Sequence, residues 1–238
     1  SNNEANFVGG GGFNGSGTLI ITDSVFSYNK SYRGGGIYID YSGAGTVTTL
    51  TTITGSLFEK NTATGHGGAI YMDKGELNII DTAVIDNEAA YDGGGLKTYY
   101  PEALVTITGS TFANNSARQG GGMLIREGDV TLINSTLSGN RANSTGEGGG
   151  GVYNQNGSLE LVNSTVTDNY AFYYGGGIVQ MNPIASTTIS RSIISGNIAV
   201  FGDANEIRFL GGALITGDHN VFGRGEQTNA AAFTGFTP

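Results

Sequence analysis

Seven times in 238 residues an asparagine recurs inside the same frame, at Asn29, Asn61, Asn87, Asn115, Asn140, Asn169 and Asn197, with intervals of 32, 26, 28, 25, 29 and 28 residues. Two residues after it stands a small side chain (Ser31, Ala63, Ala89, Ala117, Ala142, Ala171, Ala199). Three residues before it stands a large apolar one (Phe26, Phe58, Val84, Phe112, Leu137, Val166, Ile194). Five residues earlier again lies an aliphatic column, Ile21, Ile53, Ile79, Ile107, Leu132, Leu161 and Ile189. A run of glycines closes most copies and leads into an aliphatic residue, as in Gly93-Gly94-Gly95-Leu96 and Gly175-Gly176-Gly177-Ile178. A period of this size means stacked supersecondary units, each burying its apolar side against its neighbours.

Between the columns the pattern alternates. In Leu104-Val105-Thr106-Ile107-Thr108, Val105 and Ile107 share one face and the threonines the other, which is the period of a strand. No segment carries an apolar stripe at helical spacing. Each repeat therefore predicts three short strands, one ending at the isoleucine column, one around the phenylalanine column and one after the glycines. The chain reads as all-β, a right-handed parallel β-helix of seven to eight coils. Coils stack at about 4.8 Å, giving a rod of roughly 35 to 40 Å, and the hand follows from the preference of parallel crossovers. One domain covers 1–238, with an N-terminal end segment at 1–17, coils over 18–223 and a C-terminal end segment at 224–238. Stacked asparagines are expected to hydrogen-bond from coil to coil, and the glycines to serve tight turns or close backbone approach.

Composition removes several classes. With 42 glycines, 3 prolines and no cysteine, and without a Gly-X-Y period, the chain is neither a disulfide scaffold nor collagen. Hydrophobic residues at 38% against 13% charged are too many for a disordered chain. The net charge of -9, with eleven scattered Lys and Arg, argues against nucleic acid as a partner. No apolar run approaches the length of a membrane-spanning helix. No signal-peptide pattern opens the sequence, so it reads as a cytosolic protein or as the mature part of an exported one.

The glycine runs lack the Gly-Lys-Ser or Gly-Lys-Thr of a phosphate loop and the helix of a dinucleotide site, which leaves tight turns. Asp40 and Asp73 share a register in adjacent coils, but two carboxylates fall short of the six to eight oxygens calcium takes. They read as a solvated pair. His66 and His219 lie some six coils apart. No catalytic residue, cofactor or metal ligand is assigned. Length varies only at the junction after the glycine strand, in the loops at 40–46, 99–103 and 181–186, where recognition is expected. Tyr38, Tyr71 and Tyr153 fall in an outward column with Lys97, Leu124, Val179 and Arg208. Tyr99 and Tyr100 occupy a projecting loop, and Tyr173 and Tyr174 crowd the turn before Gly175. Tyr38, Tyr71, Tyr99, Tyr100, Tyr173 and Tyr174 are accordingly the candidate ligand-binding residues, since exposed aromatic faces stack on sugar rings or form protein contacts.

Gly67-Gly68-Ala69-Ile70 and Gly211-Gly212-Ala213-Leu214, with Phe26-Ser27-Tyr28-Asn29, Phe58-Glu59-Lys60-Asn61 and Phe112-Ala113-Asn114-Asn115, resemble the repeats of the chlamydial polymorphic outer-membrane proteins over roughly residues 10–215. The resemblance implies a pectin-lyase-like right-handed β-helix from a bacterial surface protein, often an adhesive passenger located outside the cell. The function expected is thus a non-catalytic module that binds a glycan or a surface protein through edge loops and exposed tyrosines. Two alternatives stand beside it: a polysaccharide lyase or glycoside hydrolase on the same scaffold, and a structural subunit that associates end to end into a fibre.

Overall fold

The computed structural model of the chain describes residues 1–40, 49–202, 205–223 and 233–234. Among these no helix occurs, and every strand pairing is parallel. Of the three uneven loops, residues 41–46 of the first lie outside the described residues, as does all of 224–238 except 233–234.

One coil shows the plan. Its first strand is Gly75–Ile80, its second Ala83–Ile85, its third Glu88–Ala89 and its fourth Leu96–Thr98. Like strands of successive coils pair to give four parallel sheets of 8, 8, 7 and 9 strands among the described residues. Seven coils are thus complete in all four. The expected three strands per coil become four. The extra one is the two to five residues after the ladder asparagine, such as Thr62–His66 and Ser116–Ala117. These pieces are too short and too polar to show alternation, and they become strands only because a neighbouring coil supplies the hydrogen bonds.

Registers follow the sequence columns residue for residue. Ile53, Ile79 and Ile107 are partners in the first sheet, Phe58, Val84 and Phe112 in the second. These two columns and the first residues of the fourth-sheet strands (Ile70, Leu96, Met123) form one continuous apolar interior. Phe26 stacks on Phe58 with ring centroids 4.6 Å apart, close to the separation of adjacent strands. Residues 2–14 run along the first coil. Asn2 N–H donates to the Ser27 carbonyl, Glu4 bridges to Lys30 and Val8 to Arg33, and Gly12–Asn14 pairs with Ile37–Ile39.

At the corner between second and third strands the asparagines make an unbroken ladder. The Asn87 backbone N–H and side-chain Nδ2 both donate to Asn115 Oδ1, at 3.0 and 2.9 Å. Asn115 does the same to Asn140, and its Nδ2 also donates back to the Val84 carbonyl of the preceding coil. All seven side chains, from the first coil to the seventh, are at 2% exposure or less, and their amides are satisfied. Five positions earlier a hydroxyl ladder runs in parallel: the Ser110 N–H donates to Ser135 Oγ at 3.1 Å and the Ser135 N–H to Ser164 Oγ at 3.2 Å.

The last glycine of a run packs against the backbone of the next coil as well as this ladder: a Cβ on Gly122 would come within 2.6 Å of the Gly151 carbonyl oxygen and one on Gly177 within 2.5 Å of that of Glu206. A Cβ added to Gly122 would meet the Asn140 side chain at 3.1 Å, and one on Gly177 would meet Asn197 Nδ2 at 3.0 Å. Each glycine leaves room for the asparagine of the next coil. Three residues after Phe222, where an eighth asparagine would follow, the sequence has Gly225. At the glycine position of the seventh coil stands Glu206, fully buried, whose carboxylate accepts from Asn197 Nδ2 at 2.6 Å and from the Gly196 and Asn197 N–H groups. It takes the place of the missing amide oxygen. Burial outweighs these three donors and raises its pKa.

Asn115→Ala leaves the buried Asn87 N–H without its acceptor, while Asn87 Nδ2 keeps the Phe58 and Ile85 carbonyls, and is expected to cost about 1–3 kcal/mol, the scale of one orphaned group. Urea unfolding of the variant against the parent measures it, and a loss below about 1 kcal/mol would show that the ladder is not a principal support.

Candidate functional site

The outward column of the fourth sheet carries the chemistry. Backbone pairing sets Phe13, Tyr38, Tyr71, Lys97, Leu124, Tyr153, Val179 and Arg208 side by side, as alternation predicts. Apart from Phe13 on the first strand, 53% exposed, they are covered. Tyr71 is 0% exposed and Lys97 3%, and Tyr38 and Tyr153 are buried as well. The turns on both sides of this sheet rise above it and fold their side chains inward. From the side before the glycines come Arg33, His66, Tyr91 and Asp92; from the side after the strand come Asp73, Tyr99, Tyr100 and Arg126. A second, mixed layer of aromatic and charged groups therefore covers the sheet.

Rings stack along this layer from coil to coil. Phe13 to Tyr38 is 5.7 Å, Tyr38 to Tyr71 is 5.3 Å and Tyr71 to Tyr99 is 6.3 Å between centroids, and Tyr100 meets Tyr99 edge-on at 4.7 Å. Of the six tyrosines singled out in the sequence, Tyr38, Tyr71, Tyr99 and Tyr100 thus converge, with Tyr100 the outermost at 41% exposure. Tyr173 and Tyr174 do not join them. They sit three coils further on, about 14 Å at one strand spacing per coil, on the opposite flank. There they are half-buried with Phe172 and Phe201, and Arg208 lies 4.5 Å from the Tyr174 ring.

Two ionic groups are set into the layer. Tyr38 donates a short hydrogen bond to Asp73. Asp73 is buried and its pKa is raised, chiefly by desolvation and further by the Asp40 charge. It is no solvated partner of Asp40. Across the sheet, Asp92 Oδ2 lies 2.6 Å from Lys97 Nζ and 2.9 Å from His66 Nδ1, while Nζ and Nδ1 are 3.1 Å apart. One nitrogen cannot serve both neighbours: with hydrogen on Nδ1 the ring donates to Asp92, and without it the ring accepts from Lys97. Burial alone would raise the Asp92 pKa, but His66 and Lys97 together hold it at about 2. Desolvation lowers the pKa of Lys97 against the pull of Asp92. His219, six coils away, is exposed and takes no part. Among the described residues no group of three or more His, Asp or Glu side chains is placed to hold a metal ion.

Beside Tyr100 the two described uneven loops frame an open trough of about 400 Å³. Its floor is the tight turns around Gly128 and Gly157, with the polar side chains of Glu127, Asp129 and Asn156, and its walls are Pro101 and Ile184. Ile184 is 76% exposed. Asn182 of the far loop donates to Asn156 Oδ1 at 2.6 Å, tying that wall to the floor. The loops at 99–103 and 181–186 thus flank an open concavity two tight coils wide. The His66–Asp92–Lys97 contact escapes sequence reading, because the three residues belong to two coils and their meeting depends on how far the turns fold over.

Residues 13–224 match the family described as right handed beta helix region. The chain belongs to that family, which gives the winding its hand. No curated protein and no solved structure is matched.

Asp92→Asn leaves Lys97 buried beside a neutral partner and is expected to cost about 3 kcal/mol near pH 7, the scale of breaking a buried pair. Because the folded pKa of Asp92 is depressed, its stabilisation is present above its unfolded value of about 3.9 and fades as pH falls toward 2. Denaturant unfolding at pH 7 and pH 2.5 should therefore show the gap between parent and variant narrowing in acid.

Proposed function

We propose that this right-handed β-helix is a non-catalytic glycan-binding module of a bacterial surface protein, with its ligand lying across Tyr99 and Tyr100 and into the trough between Pro101 and Ile184. The observation that carries the reading is the continuity of a stacked tyrosine cluster with a polar-floored concavity of about 400 Å³. Sugar binding asks for these two things: flat aromatic surface for the apolar face of a pyranose, and side chains that both donate and accept for its hydroxyls. Glu127, Asp129 and Asn156 supply acceptors, Asn156 and Ser158 donors. The Gly-Gly-Ala and Phe-x-x-Asn motifs, similar to those of chlamydial surface proteins, support a location outside the cell and an adhesive role.

Glycan-array binding followed by titration calorimetry tests this. Tyr100→Ala is expected to weaken binding at least tenfold, about 1.4 kcal/mol, while Tyr28→Ala, an exposed corner tyrosine, changes nothing. Equal binding by parent and Tyr100→Ala would remove the site. A second reading, a carbohydrate-active enzyme, is favoured by one observation, the shared contact of His66, Asp92 and Lys97. New reducing ends or 4,5-unsaturated products from a polysaccharide panel, abolished by His66→Ala, would establish it in place of simple binding.

A further inference from the structure

The chain is acidic overall, with 20 Asp and Glu against 11 Lys and Arg, yet six of the eleven basic residues lie on the face that covers the fourth sheet, each over a tyrosine ring, and all but Arg208 gather around Tyr71, Tyr91, Tyr99 and Tyr100. Arg126 lies 4.2 Å from the Tyr99 centroid, Lys74 4.7 Å from Tyr100 and Arg33 5.4 Å from Tyr71; Lys97 lies 5.8 Å from Tyr99 and Arg118 5.8 Å from Tyr91. The acids on this face are largely engaged. Asp73 accepts from Tyr38, and Asp92 accepts from Lys97 and His66. Glu102 is mostly solvated and 4.0 Å from Lys74, at the limit of an ion pair. Deeper in the layer Arg33 Nε is buried without a hydrogen-bond partner, and the Tyr71 hydroxyl is buried facing Asp73. Two of its cations are exposed, Arg118 beside Tyr91 and Arg126 beside Tyr99, and Arg126 lies the nearer to its ring.

We infer that the saccharide taken by this face is anionic, its carboxylate or sulfate held by Arg126 and Lys74 while its ring packs against Tyr100. The inference rests on the glycan-binding reading and names the chemical class of its ligand. Arg126 offers two parallel N–H donors to a planar anion, and Lys74 adds a point charge on the other side of the Tyr99–Tyr100 pair. Glu127 and Asp129 in the adjoining trough repel a second charge. The next sugar along would therefore present hydroxyls there, which orients the chain with its charged unit at the tyrosines.

Calorimetric titration of the whole chain with a uronate oligosaccharide, its methyl ester and a sulfated oligosaccharide of equal length tests this. A charged ligand is expected to bind at least tenfold more tightly than the methyl ester at low salt, because charge-assisted hydrogen bonds are stronger than neutral ones, and to weaken as salt rises. Whichever of the uronate and the sulfated chain binds more tightly identifies the anion. Arg126→Gln and Lys74→Gln should each remove most of the preference, and Arg191→Gln, at a remote corner, none. Equal affinity for the methyl ester, or an equal effect of Arg191→Gln, overturns the anionic assignment while leaving glycan binding intact. Failure of all three saccharides to bind overturns both.

Discussion

The amide ladder at the corner after the second strand is the interaction on which the rest of the molecule depends. A parallel coil only a few residues wide on each side has little interior, and at each corner it must leave the plane of its sheets and orphan backbone groups. The asparagines solve both problems with one residue type. Each side chain reaches back to the preceding coil, where its oxygen accepts from that corner's N–H and amide and its Nδ2 donates to a backbone carbonyl. The phenylalanine column beneath, the small residue two positions on and the glycine beside it are dimensioned around that side chain. A coil without its asparagine would leave buried donors on one neighbour and a void against the other.

A scaffold held from inside is free to decorate its outside. On the fourth sheet that freedom is used to build a second layer of tyrosines, basic residues and two acids, buried at Tyr71 and Lys97 and open at Tyr100 and Arg126. Lys97, only 3% exposed, paired with Asp92 and 3.1 Å from His66 Nδ1, is costly to maintain in a rod whose apolar core is already continuous. Desolvated charges of this kind concentrate where a protein meets a ligand. The trough beside Tyr100 arises more simply: two consecutive coils turn tightly while their neighbours on either side turn wide, so a length difference along the sequence becomes relief on the surface.

Most of the scaffold was legible in the chain, because a repeated column reports its environment once per coil. Ile79 and Phe112 could be placed inside, and Asn87 in a ladder, from spacing alone. The third strand was not legible, since residues such as Glu88 and Ala89 carry no alternation and acquire strand geometry only from a neighbour. The outward tyrosines were half legible. Alternation correctly sends Tyr38 and Tyr71 away from the interior, but away from the interior is not toward solvent when flanking turns fold over the sheet. The meeting of His66 with Asp92 was invisible for the same reason, and so was the replacement of an eighth asparagine by Glu206, whose register belongs to the glycines.

The ladder has a direction. Every oxygen faces the preceding coil and every N–H the following one, so one end of the series needs a donor and the other an acceptor. Asn3 supplies the first, donating through its N–H and Nδ2 to Asn29 Oδ1, and the Glu206 carboxylate supplies the second. The molecule is thereby built like a word with fixed first and last letters. A duplicated coil inserted anywhere between Asn29 and Asn197 would find a giver behind it and a receiver ahead, whereas one placed beyond Glu206 would meet a side chain that can only accept. Growth or shrinkage of such a rod by recombination is open in its middle and closed at that end, and the surface relief can be lengthened or shortened without disturbing the terminal pairing.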